Sequence, residues 1–333
     1  MNVQKFVTCK AKFVFAIFLV VGSQALASGS HPACAKLFKP SSDPLRELLV
    51  NETRAWLTKA TDPQSSDAVK GRVWGARNFM EMRTWADVTF WIKPYLQLLP
   101  SNCRIISLGS GVGLEIATAI KGDSAVPAGF LPHLMSNSKT GPGDLELAKG
   151  RQFIGITATP ESDLLIEKQG PQHKIFAGRL FEDIPDQELR DAIGDQPVLA
   201  FSNVGLLDYT LSPDQVLEKI HNTFPIGSII VNKNSGPHGE FHHFYNAKDF
   251  NSPIGGITDY AALMGFEKLS DNAFRVTGRF KPAPIKLLTQ HPSLPSINFY
   301  LLLDSSASKQ EMHDFETSFV ERWVLEDPWI YHR

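Results

Sequence analysis

Cysteine is scarce in this sequence: three residues in 333, one of them at position 9. That is too few for a scaffold built on disulfides. Charge of one sign is scarce as well. Thirty-three Lys and Arg face 35 Asp and Glu, a formal charge of −2, and the basic residues form no runs. The electrostatic footprint of a nucleic-acid or anionic-membrane partner is therefore missing. Beyond the N-terminus no stretch approaches the roughly 20 apolar residues that a membrane helix needs. No Gly-Lys-Ser/Thr phosphate loop and no helical His-Glu-x-x-His zinc motif occurs. Gly109-Ser110-Gly111 lacks the flanks of a nucleophile elbow, which removes support for a hydrolase triad.

What the chain does have begins at its N-terminus. Lys5, Lys10 and Lys12 accompany an unbroken apolar run, Phe13–Val21, and Ala25-Leu26-Ala27 puts small residues at the −3 and −1 positions of a cleavage site. This three-part layout predicts a signal peptide over residues 1–27. Its removal takes three lysines and no acid, lowering the charge from −2 to −5. The alternative, an uncleaved anchor, requires a longer apolar run. Cys34 lies too far past the run for a lipoprotein. The expected product is secreted or periplasmic, without membrane attachment after cleavage. Cys34 and Cys103 then remain, and spacing alone leaves open whether they pair or stay separate thiols. Asn51-Glu52-Thr53 is a glycosylation sequon, meaningful only in a eukaryotic secretory pathway.

The mature chain divides by pattern. Residues 28–100 predict an N-terminal helical arm or lid, with an amphipathic stretch at 45–57 and a helix over 67–99. In that helix Trp85, Val88, Thr89, Ile92 and Leu96 share one face, Pro94 is expected to kink it, and Pro100 to end it. From 101 to 304 short apolar strands alternate with helices: strands at 104–108, 153–156, 173–177, 197–202, 227–232, 266–269 and 297–304. Helices are expected to open at Leu114, Pro160, Pro213 and Asp259. Such alternation predicts an α/β fold, a doubly wound and mostly parallel sheet with helices on both faces. Residues 121–150, rich in Gly, Pro and Ser, read as an insertion, either a lid or disordered. Residues 305–333 read as a C-terminal helix and tail.

After the first strand the sequence runs Ser107-Leu108-Gly109-Ser110-Gly111-Val112-Gly113. Glycines there allow a ligand to approach the backbone, and the following helix start offers free N–H groups. The dinucleotide spacing G-x-G-x-x-G fails, because position 114 is Leu114. The G-x-G-x-G spacing resembles motif I of the class I S-adenosylmethionine-dependent methyltransferases. Further pieces resemble that family in the same order: Phe153–Glu161 the second-strand motif, Phe176–Pro185 the third-strand segment, Val198–Tyr209 with Pro213–Ile220 the fourth strand and its helix. Pro225–Val231 resembles the turn and fifth strand, and Leu263–Glu267 the Gly-Phe-Glu that opens the sixth. The resemblance spans about residues 84–304.

The resemblance implies S-adenosylmethionine as cofactor and a methyl acceptor, small molecule or protein, that the sequence does not name. The candidate cofactor contacts it implies are Ser107, Gly109, Gly111, Gly113, Thr157, Arg179, Leu180, Ser202 and Asn203. Several of these depart from the family pattern, among them Ser202 and Asn203, near the end of the fourth strand where many members carry Asp. Ser107 and Thr157 stand where acids are usual, and Arg179 precedes Leu180 where Asp often stands. A carboxylate is a strong acceptor for ribose hydroxyls; losing one such bond costs about 1.5–3 kcal/mol. Two functional readings follow: an exported methyltransferase, or a secreted protein that keeps the fold, is catalytically inactive and acts as a binding or effector module. A nicotinamide-dependent oxidoreductase is a third and weaker reading. His238, Glu240, His242 and His243 follow the fifth strand at spacings that suit a metal, and a histidine there could act as a general base for an acceptor; a polar loop over packed aromatics is the plainer reading.

Overall fold

The computed structural model describes residues 84–126, 140–203, 205–233, 242–248, 254–290, 298–303 and 307–319, with Ala55 alone before them. The expected signal peptide, most of the N-terminal arm, Cys34, the sequon, His238, Glu240 and the tail beyond 319 lie outside the described residues.

The central strands are short and buried on both faces, so they read as continuous apolar runs rather than alternating ones. They are β1 (Ile105–Leu108), β2 (Phe153–Thr157), β5 (Leu199–Ser202) and β6 (Ile229–Asn232); beyond β2 lie β4 (His173–Ala177), buried at Ile175 and Phe176, and the two-residue edge strand β3 (Gln169–Gly170). Two more, β8 (Glu267–Ser270) and β9 (Ala273–Arg275), complete an eight-stranded sheet in the order β3-β4-β2-β1-β5-β6-β9-β8. The pairings β4-β2-β1-β5-β6 are all parallel. From β1 the chain winds outward to β2 and β4, then returns to β5 and β6 on the other side. The strand order thus reverses between β1 and β5, the point where open α/β sheets receive ligands. At the β6 edge β9 runs antiparallel, and β8 pairs antiparallel with β9.

Helices cover both faces. On one lie α1 (Trp85–Leu96), α2 (Leu114–Lys121) and α3 (Pro142–Ala148), packed on Ile105, Phe153, Ile175, Leu199 and Phe201. On the other lie α4 (Asp186–Ile193), the one-turn α5 (Leu206–Tyr209), α6 (Pro213–Thr223) and α7 (Ile257–Leu263), packed on Ile106, Leu108, Ala200 and Ile230. Residues 105, 106 and 108 therefore divide between the two layers as strand alternation requires. The sequence reading of α1 holds side chain by side chain: Trp85, Val88, Thr89, Ile92 and Leu96 are its buried face. Asp87 starts it, accepting hydrogen bonds from the Thr84 amide at 2.9 Å and hydroxyl at 3.0 Å.

Several expectations change. The insertion carries a helix, α3, tied to α1 by Trp85 Nε1 donating to the Asp144 carbonyl (2.7 Å) and the Thr89 hydroxyl to its carboxylate (2.7 Å). Only residues 127–139 of the insertion fall outside the described ones. The helix expected to open at Pro160 is a three-residue 3-10 turn, Glu161–Asp163. The last expected strand belongs to a separate three-stranded sheet, β10 (Ile285–Gln290), β11 (Asn298–Leu302) and β7 (His242–Asn246). Phe244, Leu287 and Tyr300 on one of its faces join the α6-side core. Tyr245, Leu288, Phe299 and Leu301 on the other pack with Phe315 of α8 (Lys309–Phe319).

Candidate functional site

The carboxyl ends of β1 and β5 meet through two glycines. Gly109 has φ +97°, and a Cβ there would lie 2.6 Å from Gly205 Cα. A Cβ on Gly205 would lie 2.1 Å from the Leu108 carbonyl oxygen. Both distances are below any real contact, so the turn after β1 and the loop after β5 touch backbone to backbone only because neither residue has a side chain. Gly111 and Gly113 continue the turn at φ +52° and +78°, and α2 starts at the next residue.

Around this turn most of the residues picked out from sequence are engaged within the protein. Ser107 Oγ donates to Glu115 Oε1 at 2.7 Å. Thr157 Oγ1 donates to the Gly111 carbonyl at 2.8 Å and accepts the Thr159 amide at 3.0 Å. The Arg179 guanidinium binds both carboxylate oxygens of Glu188 at 2.9 and 3.0 Å, and its amide extends the ladder to the Thr157 carbonyl. Leu180 caps the 3-10 turn Phe181–Asp183. Ser202 Oγ accepts the Leu207 amide at 3.2 Å and lies 3.4 Å from Asp208 Oδ2. Asn203 differs: its Oδ1 is buried without a hydrogen-bond partner.

Glu115 is the residue that sequence reasoning missed. It comes from the first turn of α2 and brings a buried carboxyl to Ser107, the position where the methyltransferase pattern has an acid. Burial pushes its pKa up to about 7, and the Ser107 hydroxyl opposes the shift. No periodicity signals this, since an acid in a first helical turn is ordinary N-terminal chemistry.

Other buried polar atoms lacking hydrogen-bond partners stand at the carboxyl edge of the sheet: the hydroxyls of Ser110 and Thr159, and Asn232 Oδ1. Buried polar atoms are nearly always paired, so such a group calls for a ligand or water. Burial pushes the His242 pKa down to about 3, with neighbouring His243 adding to the fall and the Leu207 carbonyl opposing it. His242 and His243 sit on opposite faces of β7, in the α6-side core and stacked on Phe299 respectively. His242 and His243 therefore do not share a face, while His238 and Glu240 of that set lie outside the described residues. Among the described residues no group of three or more His, Cys, Asp or Glu is placed to hold a metal ion.

No family model matches this chain, and no curated protein matches it. Among the described residues no helix is long and apolar enough to cross a membrane.

Proposed function

We propose that the chain is an exported protein of class I methyltransferase type that receives S-adenosylmethionine at the turn 109–113 and transfers its methyl group to an acceptor. The observation that carries this reading is the glycine turn at the point of strand reversal, followed at once by the start of α2. Ligands of open α/β sheets bind there, against helix N-termini. The antiparallel β9 beside β6 also favours it over the nicotinamide reading, since the dinucleotide fold continues with a parallel sixth strand.

The residues fit the group in part. The turn and the start of α2 suit the methionine end, and Glu115 supplies a carboxyl beneath the turn. At position 157 the hydroxyl donates to the Gly111 carbonyl and accepts the Thr159 amide, which leaves one neutral lone pair where a carboxylate would accept both ribose hydroxyls. The cofactor, when bound, would bring a methyl group on a cationic sulfur. This chain's own part is to hold it by backbone and to present the end of β5, with Asn203, to the acceptor. The loss of one charged hydrogen bond weakens binding about ten- to hundredfold.

The engaged hydroxyl of Thr157 favours the second reading, a methyltransferase fold kept as a binding or effector module. Calorimetric titration of the protein lacking residues 1–27 with S-adenosylmethionine and S-adenosylhomocysteine separates the two. Micromolar to high-micromolar binding, lost in Gly111→Arg with the thermal transition retained, supports the enzyme. No heat at millimolar ligand with a folded sample leaves the binding module.

A further inference from the structure

Ser107 and Glu115 bracket the glycine turn. Ser107 is the third residue of β1, and Glu115 is the second residue of α2. The 2.7 Å hydrogen bond between their side chains closes the base of the loop that holds Gly109, Gly111 and Gly113. Both residues are buried, at 3% and 9% exposure. Burial pushes the Glu115 pKa up to about 7, against the Ser107 hydroxyl and the residue's own amide. The strands beside β1 put only Gly155 and Phe201 next to Ser107. The elements packed on α2 and the turn carry charges of both signs: Asp87 and Lys93 of α1, Asp144 and Glu146 of α3, and Asp163 and Lys168 after β2. None of these shares in the shift, and among the described residues no Lys, Arg or His pairs with Glu115. A glutamine would fill the same space without the cost of ionisation that a buried carboxyl meets above neutral pH.

We infer that the Glu115–Ser107 pair is the counter-charge of the turn: Glu115 gives up its proton when a net-cationic ligand settles against residues 109–113, and the pair thereby selects such a ligand over its net-neutral analogue. The inference rests on ligand binding at the turn and adds which charge the turn prefers. Reach is set by the chain. Two residues span at most about 7 Å, so a carboxyl hydrogen-bonded to Ser107 lies within about 10 Å of Gly109. Opposite charges at that separation, shielded as in a typical protein site, move a protonation balance roughly tenfold. The start of α2 by itself favours an anion; an ionised carboxyl in its first turn reverses that preference. The proton balance is simple. The Glu115 O–H bond breaks, the proton passes to the solvent, and the carboxylate keeps the hydrogen bond from Ser107. S-adenosylmethionine has a net positive charge and S-adenosylhomocysteine has none, so the pair separates the methyl donor from its product.

Calorimetric titration of the full chain in buffers of different ionisation enthalpy counts the protons released on binding. At about pH 6.5, S-adenosylmethionine is expected to release about half a proton per site, and S-adenosylhomocysteine much less. The ligand's own ammonium, with an ordinary pKa of about 7.7–8.0, contributes little at that pH. By linkage, the preference for S-adenosylmethionine over S-adenosylhomocysteine is expected to grow several-fold between about pH 5.5 and about pH 8. In Glu115→Gln both effects are expected to vanish: no proton release, and a preference that stays flat with pH. Ser107→Ala removes the hydrogen bond that favours the carboxylate, so its maximum of proton release is expected to move to higher pH. That variant reads the same proton if Glu115→Gln does not fold. Binding without proton release, binding with proton uptake, or release that survives Glu115→Gln would overturn the inference and leave the methyltransferase reading in place. Absence of binding by either ligand would overturn both.

Discussion

Glu115 and His242 are both buried titratable side chains, and their effects on stability run in opposite directions with pH. Glu115 has its pKa raised from 4.5 to about 7. The folded state therefore holds its proton more tightly than the unfolded chain, and this contribution is complete below pH 4.5 and lost as pH rises through 7. Glu115→Gln is expected to remove that loss. Relative to wild type, the variant should gain roughly 3 kcal/mol between pH 4 and pH 8 in urea unfolding. An unchanged difference across that range would place the carboxyl in contact with water. His242 has its pKa lowered from 6.5 to about 3. Its contribution is complete above 6.5 and is lost as pH falls toward 3, because the unfolded chain takes up the proton first. His242→Phe is expected to flatten the acid limb of the stability curve in that window and leave the alkaline limb unchanged.

At the scale of elements, the patterns that were legible in sequence are those fixed by burial within one short segment. The stripe of α1, the apolar runs of β1, β2, β5 and β6, and the Pro-Asp start of α6 all follow from burial and end chemistry. Trp85 anchors α1 by its ring against Phe153 (5.4 Å, edge on) and its indole N–H on Asp144. Trp85→Ala is expected to cost about 3–5 kcal/mol, measured by denaturant midpoint. A smaller loss would mean that α1 docks through Val88 and Ile92 instead. The missed elements have physical reasons. Helix α3 is seven residues in a Gly- and Pro-rich stretch, opened by Pro142 at its first turn, where proline is welcome. The crossover after β2 contains Pro160-Glu161, a valid helix start, yet only a 3-10 turn forms. Ile166 fills the space against Gly113 and Ile175 instead. Strand β9 is three residues long and joins its neighbour β8 to the distant β6, and β10 is the edge of a sheet whose far strand, β7, lies well back in the chain; local pattern cannot reveal these distant partners.

For the whole molecule, the doubly wound sheet was readable because five parallel strands recur with helices between them. The second sheet was not, since β7, β10 and β11 come from three separated stretches and are united by Phe244 stacking on Tyr300 (5.2 Å) and Tyr260 (4.2 Å). The site was legible to a similar degree. The glycine turn stands where the sequence put it, while the internal engagement of Ser107, Thr157 and Arg179 depends on partners that no spacing names. The proposed export is tested on the whole chain as well. Expressed in a secreting host, the protein recovered outside the inner membrane is expected to begin at Ser28 by mass spectrometry. Recovery of a chain starting at Met1 in the membrane fraction would point to the uncleaved anchor.

The contact between Gly109 and Gly205 makes these two positions energetically one. Gly205 has an ordinary φ of −126°, so Gly205→Ala acts by steric overlap alone and must push the loop after β5 off the turn after β1. Once they are parted, the overlap part of the cost of Gly109→Ala has already been met, and only its backbone strain remains. The double variant should be less damaged than the two single losses added together, a coupling of the size found for residues in contact. Evolution of this chain would meet the same asymmetry: the first glycine is hard to lose, and the second is easier once the first is gone.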